Sequence, residues 1–174
     1  MCIRDRGKGV GKSLCEKEMA EKAREILAAA KAGKCRIVLP VDATVAKELK
    51  PHVHARVVGV DHVADDEMIL DIGPKSVVAI EEILGEIKTL VWNGPFGAFE
   101  TPPFDAATFA IAKTVGSLTR DRKLKAIAGG GDTVAALNLA GVAGQFTYVS
   151  AAGGAFLEWM EGKPLPGVEV LRIN

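Results

Sequence analysis

Two short apolar runs each end in a glycine-bearing loop, and this arrangement limits the fold more than any other feature of the chain. Lys88-Thr89-Leu90-Val91 leads into Trp92-Asn93-Gly94-Pro95-Phe96-Gly97-Ala98-Phe99-Glu100. Lys125-Ala126-Ile127-Ala128 leads into Gly129-Gly130-Gly131-Asp132-Thr133 and then a helical pattern. Buried strands that feed such loops build a parallel sheet whose carboxyl edge points backbone N–H groups and helix N-termini outward, where phosphate compounds are held. Each loop also carries a carboxylate, Glu100 in one and Asp132 in the other. The implied chemistry is that of a nucleotide site.

The rest of the chain supplies further strands and helices. Lys12 to Ala32 places Leu14, Met19, Ala23, Ile26, Leu27 and Ala30 at near-helical spacing, with Gly33 as the residue that ends the helix. Cys35 to Leu39 reads as a short strand stopped by Pro40, and Ala43 to Leu49 as a weaker helix ending before Pro51. Arg56 to Val60 is a minor strand, and Met68-Ile69-Leu70 leads to Asp71-Ile72-Gly73-Pro74. Pro74 then opens a helical run through Leu84. Beyond the Leu90 strand come a helix from Pro103 to Leu118, the Ile127 strand, a helix from Asp132 to Leu139, a strand at Phe146 to Val149 and a helix from Gly153 to Met160. An extended tail follows at Pro164 to Gly167. Repeated alternation of strand, loop and helix predicts an α/β layered domain with a mainly parallel sheet.

Charge and cysteine content exclude several classes of function. The chain has 174 residues, with 22 Lys and Arg against 22 Asp and Glu, so nothing in its net charge draws it to nucleic acid or an anionic membrane. Its apolar stretches are too short and too broken for a membrane span or a secretory leader, which leaves the cytoplasm as the expected compartment. Cys2, Cys15 and Cys35 lack ligand or disulfide spacing and read as reduced thiols, two of them partly buried. His52, His54 and His62 have no neighbouring ligand pattern and are not expected to bind metal. Asp65-Asp66-Glu67 reads as a solvated turn and helix start. Trp92, Trp159 and Tyr148 read as packing residues.

One apparent phosphate motif fails on spacing. Gly7-Lys8-Gly9-Val10-Gly11-Lys12-Ser13 resembles a P-loop, but Arg6 stands where that pattern requires glycine and no apolar strand precedes it. It reads instead as the start of a helix capped by Ser13 or a neighbour. Gly129-Gly130-Gly131-Asp132-Thr133 has the better physical case, because three glycines let backbone N–H groups approach a phosphate unobstructed. Asp132 beside phosphate suits magnesium, which prefers carboxylate and phosphate oxygens. A tight turn with an Asp cap would have the same sequence. Ser150-Ala151-Ala152-Gly153-Gly154-Ala155 is a further small-residue loop between strand and helix. Three such loops at one sheet edge say more than any one of them.

Taken together, Trp92-Asn93-Gly94-Pro95 with Gly97, Phe99 and Glu100, Gly129 to Thr133, Ser150 to Glu158, and Gly162-Lys163-Pro164-Leu165-Pro166-Gly167-Val168 resemble the C-terminal, nucleotide-binding domain of phosphoglycerate kinase. The resemblance runs from about Gly9, through Leu39-Pro40-Val41-Asp42 and Asp71-Ile72-Gly73-Pro74, nearly to the end. It implies a three-layer Rossmann-like fold and phosphoryl transfer between 1,3-bisphosphoglycerate and ADP, or from ATP to 3-phosphoglycerate, with Mg2+. It further implies that Gly130, Gly131, Asp132 and Thr133 bind nucleotide phosphates, with Asp132 toward the metal through the nucleotide. Glu100 would bind ribose, and Asn93, Gly94 and Pro95 would line the pocket. Gly153 and Gly154 would present amides to the phosphoryl group in flight, making them the catalytic pair.

The same resemblance sets expectations about what is missing. The family binds phosphoglycerate on a separate N-terminal domain, through arginines and a histidine without counterparts here. A Gly-Gly-Ala-Lys loop and two central strands of the nucleotide domain are likewise expected to be absent, leaving the sheet incomplete and the Ile37 strand apart from the Leu90 strand. Residues 1–8 are expected to be a non-family segment, possibly artefactual, and residues 9–174 a partial nucleotide-binding domain. Ala151-Ala152 departs from the family's usual Thr-Gly and removes one hydroxyl near the transferred group. Two readings from other classes stand beside the parent enzyme, which is usually monomeric in this family. One is a nucleotide-binding module without transferase activity, and the other an inert fragment.

Overall fold

The computed structural model describes residues 9–150 and 152–171. The expected non-family segment 1–8 lies outside them, as do Cys2 and Ala151. The fold is α/β, and the chain divides into two compact units. One comprises Met1–Ile83 and Phe96–Ile111, the other Leu84–Pro95 and Ala112–Asn174.

The first unit is built on an antiparallel sheet of β1 (Asp42–Ala46), β2 (Arg56–Gly59) and β3 (Met68–Ile72), in the order β2-β1-β3. The Thr44-Val45 pair on β1 is β-branched and suits a pleated strand with neighbours on both sides. Ala43, Val45 and Val58 form the buried cluster here, with Val63 and Ile69 packed against it. Helix α1 (Ala20–Ala32) precedes the sheet and buries none of its residues, whereas α2 (Pro74–Glu86) starts where Pro74 fixes the first helical φ.

Two buried aspartates tie this unit together. Asp42 accepts N–H bonds from Lys75 at 2.9 Å and Ser76 at 2.8 Å and a hydroxyl bond from Ser76 at 2.6 Å, so it caps α2 from the end of another strand. Burial alone would raise its pKa, but the Ser76 hydroxyl and the Lys75 and Ser76 amides outweigh that and hold it below its ordinary value. Gly73 packs so tightly on this carboxylate that a Cβ would lie 2.3 Å from the Asp42 Cγ. On β3, Asp71 accepts from Ile72 at 2.9 Å and from Ala107, in the first turn of α3 (Ala106–Arg120), at 3.0 Å.

The second unit holds the parallel sheet β4 (Thr89–Asn93), β5 (Lys125–Gly129) and β6 (Tyr148–Ser150), in the order β4-β5-β6. Ala126 and Ala128 on the central strand are fully buried, their small side chains letting covering helices approach closely. Trp92 packs against Phe146 at a ring-centroid distance of 6.1 Å. Helices α4 (Gly131–Leu139), α5 (Gly153–Met160) and the short α6 (Pro166–Glu169) complete the unit.

Several sequence expectations are corrected. Cys35 to Leu39 forms no strand, and the segment expected to be a helix after it is β1. An apolar run without a ladder partner gains nothing by extending, and Ile37 and Val38 stay about 40% exposed, at 39% and 41%. Ala, Lys and Glu near β1 favour a helix, but antiparallel pairing on both sides overrides that preference. The first helix begins only at Ala20, after a 3-10 turn at Lys17–Met19, and Ser13 does not cap it. The Ser13 hydroxyl instead accepts the Ile69 N–H at 2.8 Å. Gly33 does end α1, as its C-cap, and the left-handed residue is the Lys34 that follows it.

Glu67 is not solvated. It is buried and takes two 2.6 Å bonds from Arg56, whose guanidinium holds its carboxyl below the ordinary range, and the turn leads into a strand rather than a helix. Trp92 is a packing residue, but Trp159 and Tyr148 are largely exposed. Cys15 is half-buried and Cys35 exposed. The Pro164 tail is not extended throughout, since Pro166 opens α6.

Candidate functional site

Parallel pairing puts the ends of β4, β5 and β6 in one row. Asn93 is in register with Gly129, and Gly129 with Ser150. Three strand ends therefore release their chains at one edge, two of them directly into helices. The caps of α4 and α5 are Gly130 and Ala152, and neither cap residue makes a side-chain hydrogen bond to its helix. The leading N–H groups of an uncapped helix carry partial positive charge and suit an anion.

The loops lock against one another. Gly130 has φ 102°, which favours glycine, and its N–H donates to the Ser150 carbonyl at 3.1 Å. Gly153 is pressed onto it: a Cβ on Gly153 would lie 2.5 Å from both Cα and N of Gly130. Thr133 is buried, and its hydroxyl accepts the Gly94 N–H at 2.7 Å, joining the β4 loop to the first turn of α4. Its side chain is committed to that link. Asn93 and Asp132 are exposed, while Gly131 and Gly154 have open space where a Cβ would stand. This edge is walled by backbone, with Asp132 exposed in the first turn of α4.

Of the sequence-derived site residues, Asn93, Gly94, Pro95, Gly130, Gly131, Asp132, Thr133, Gly153 and Gly154 all fall in the second unit. Glu100 belongs to the first, exposed at the top of a tight turn beside buried Phe99. Sequence reasoning missed two supports. The Trp92 indole N–H donates to the Gly94 carbonyl at 2.6 Å, and the Ser150 hydroxyl accepts the Ala152 N–H at 3.1 Å. A Trp one residue before Asn-Gly-Pro was the available signal for the first.

Among the described residues no group of three His, Cys, Asp or Glu side chains could hold a metal ion. A cation at this edge would thus need oxygens from a ligand, with Asp132 as the protein's contribution. That donor set fits magnesium, which binds through one or two carboxylates plus phosphates and keeps several waters.

Asp71 lies in the first unit with its carboxyl pushed up to about 6. Burial is the main cause and nearby Asp105 adds to it, while the Ala107 and Ile72 amides pull the other way.

Residues 1–163 match the family described as phosphoglycerate kinase. The chain is 67% identical over 166 residues to phosphoglycerate kinase of Xanthobacter autotrophicus, covering 95% of this chain and 42% of that protein. Its fold is similar to the structure of phosphoglycerate kinase from Coxiella burnetii, with a TM-score of 0.89 and 40% identity over 97% of this chain and 43% of that one. It is also similar to the crystal structure of phosphoglycerate kinase from Pyrococcus horikoshii, with a TM-score of 0.69 and 25% identity over 97% of this chain and 42% of that one. The chain spans less than half the length of these relatives.

Proposed function

Because the chain belongs to the phosphoglycerate kinase family, we propose that it supplies the magnesium-nucleotide half of phosphoryl transfer between 1,3-bisphosphoglycerate and ADP, reversible from ATP and 3-phosphoglycerate. The observation that carries this reading is the row of three strand ends, closed by Gly153 on Gly130, with two uncapped helix N-termini beside it. Gly131 and Thr133 offer backbone amides to the nucleotide phosphates, and Gly130, whose own N–H is held by the Ser150 carbonyl, lets the phosphates approach its Cα. Asn93, Gly94 and Pro95 line the pocket, and Glu100 accepts from the ribose hydroxyls. Gly153 and Gly154 direct amides at the phosphoryl group as charge spreads over its oxygens, which lowers the barrier because the donors are already oriented. When bound, magnesium neutralises phosphate charge, with Asp132 holding it through the nucleotide.

Phosphoglycerate itself is bound by the part of the family's length that this chain does not span. The 174 residues alone are therefore expected to show no turnover in a coupled assay, since in-line transfer needs both substrates positioned. We expect the reaction to run in the cytoplasm, without nucleic-acid or membrane partners. Among the described residues no helix is long and apolar enough to cross a membrane.

Calorimetry tests the nucleotide assignment. Mg-ADP is expected to bind weakly, and Asp132→Asn to weaken it by about tenfold, the scale of a charge-assisted contact. Glu100→Gln should do less, because it alters only ribose contacts. If both variants bind as tightly as the parent chain, these roles are wrong.

A further inference from the structure

The carboxylate of Asp71 is buried, belongs to none of the phosphate loops and lies beside Gly97, at the start of the turn that carries Glu100. Pairing between β1 and β3 slips by one residue after Thr44, so Thr44 opposes Asp71 and Val45 opposes Ile69, leaving Leu70 without a partner on β1. This bulge leaves the Leu70 carbonyl to accept the Ala98 N–H at 2.8 Å. Asp71 follows directly. One of its oxygens takes the Ala107 N–H at the start of α3, and the other takes the Ile72 N–H on its own strand and lies where a Cβ on Gly97 would come within 2.5 Å. The same Cβ would lie 2.6 Å from the Phe104 carbonyl. Between these two anchors the turn is closed by Phe99 N–H to Gly97, Thr101 N–H to Ala98 and Phe104 N–H to Thr101, and its feet are the buried Phe99 and Phe104. Glu100 stands exposed at the top of a backbone that has little freedom left.

We propose that Asp71 is the positioning residue for ribose recognition, holding the Gly97–Phe104 turn so that Glu100 meets the nucleotide sugar, without touching the ligand itself. The proposal rests on the nucleotide reading above and adds to it a division of labour. Phosphate recognition belongs to the glycine loops, and sugar recognition to a turn fixed from β3. Asn at position 71 keeps the shape but replaces one acceptor oxygen with an NH2 group that must face either the Ala107 or the Ile72 N–H, so the carboxylate loses its hold on the start of α3 or on its own strand beside Gly97.

The test titrates the full chain with two probes, Mg-ADP and magnesium pyrophosphate, which has no ribose. Asp71→Asn should weaken Mg-ADP binding by about five- to tenfold, the worth of one hydrogen bond, and change pyrophosphate binding by less than about twofold. Combined with Glu100→Gln, it should weaken Mg-ADP by less than the product of the single effects, because both act on one contact. If Asp71→Asn does not fold, Gly97→Ala carries the same comparison, since its Cβ displaces the turn from the other side of the carboxylate. Equal weakening of both probes would mean general loosening and overturn the proposal, as would unchanged Mg-ADP affinity. Failure of the parent chain to bind either probe would overturn the nucleotide reading and this inference with it.

Discussion

Replacing Gly153 by alanine is expected to cost about 1–3 kcal/mol of stability, the range for overpacking, and to weaken Mg-nucleotide binding by about tenfold or more. The added Cβ would stand 2.5 Å from Cα and N of Gly130 and 3.1 Å from the carbonyl carbon of Gly129. All three are backbone atoms of the strand end that feeds α4, so no flexible side chain can yield. The β6 and β5 loops must separate, and with them the N-termini of α5 and α4, which the proposed reading needs side by side. Gly154→Ala is the matched control for folding, because nothing lies within 4 Å of its Cβ position. A thermal melt should show Gly153→Ala lowered by several degrees and Gly154→Ala nearly unmoved. Equal melting temperatures for the two would mean that the loops are not in contact.

Asp42→Ala should be the most destabilising change in the first unit, by about 3 kcal/mol, combining the loss of a helix cap with donors left unpaired in a buried place. Lys75 N–H, Ser76 N–H and the Ser76 hydroxyl all lose their acceptor. On a chain of this length that corresponds to a melting shift of roughly 6–12 °C. The pH dependence has a definite sign. The folded-state pKa of Asp42 lies below its ordinary value, so its contribution is complete above the unfolded value of 3.8 and is lost as pH falls through the folded one. The gap in stability between Asp42→Ala and the parent should therefore narrow in acid. Asp71 acts oppositely. Its folded pKa is raised to about 6, so its contribution is fully present below 3.8 and is lost as pH rises through about 6. Urea titrations at neutral and strongly acidic pH check the Asp42 result, and a gap that widens in acid would contradict it.

The parts of the fold legible in the sequence were those with a local signal. β4, β5 and α5 end or begin at glycines that punctuate apolar runs, and Gly153–Met160 was readable to the residue. Pro74 announced α2 in the same way. The first unit was harder, because its structure depends on pairings far apart in sequence. Cys35 to Leu39 has as good a strand composition as β1, and only the presence of partners on both sides of Thr44 decides between them. Asp42 and Asp71 each cap a helix more than thirty residues away, through bonds that no spacing rule encodes. Glu67 looked like part of a solvated acidic turn because the sequence does not show that Arg56 lies opposite. At the candidate site the glycine loops were legible because close backbone approach demands glycine. The commitment of the Thr133 hydroxyl to Gly94 was not, since a threonine in the first turn of a helix reads the same with or without that bond.

One sheet edge, built from the ends of β4, β5 and β6, is proposed to receive the phosphates of a magnesium nucleotide. The most direct test is an amide-resolved NMR titration of the chain with Mg-ADP. Saturable shifts are expected at Gly130 to Thr133, at Gly153 and Gly154 and at Asn93 and Gly94, with the Asp132→Asn chain needing more ligand to reach them. Saturable shifts confined to other residues, or none at ligand concentrations that saturate weak sites, would contradict it.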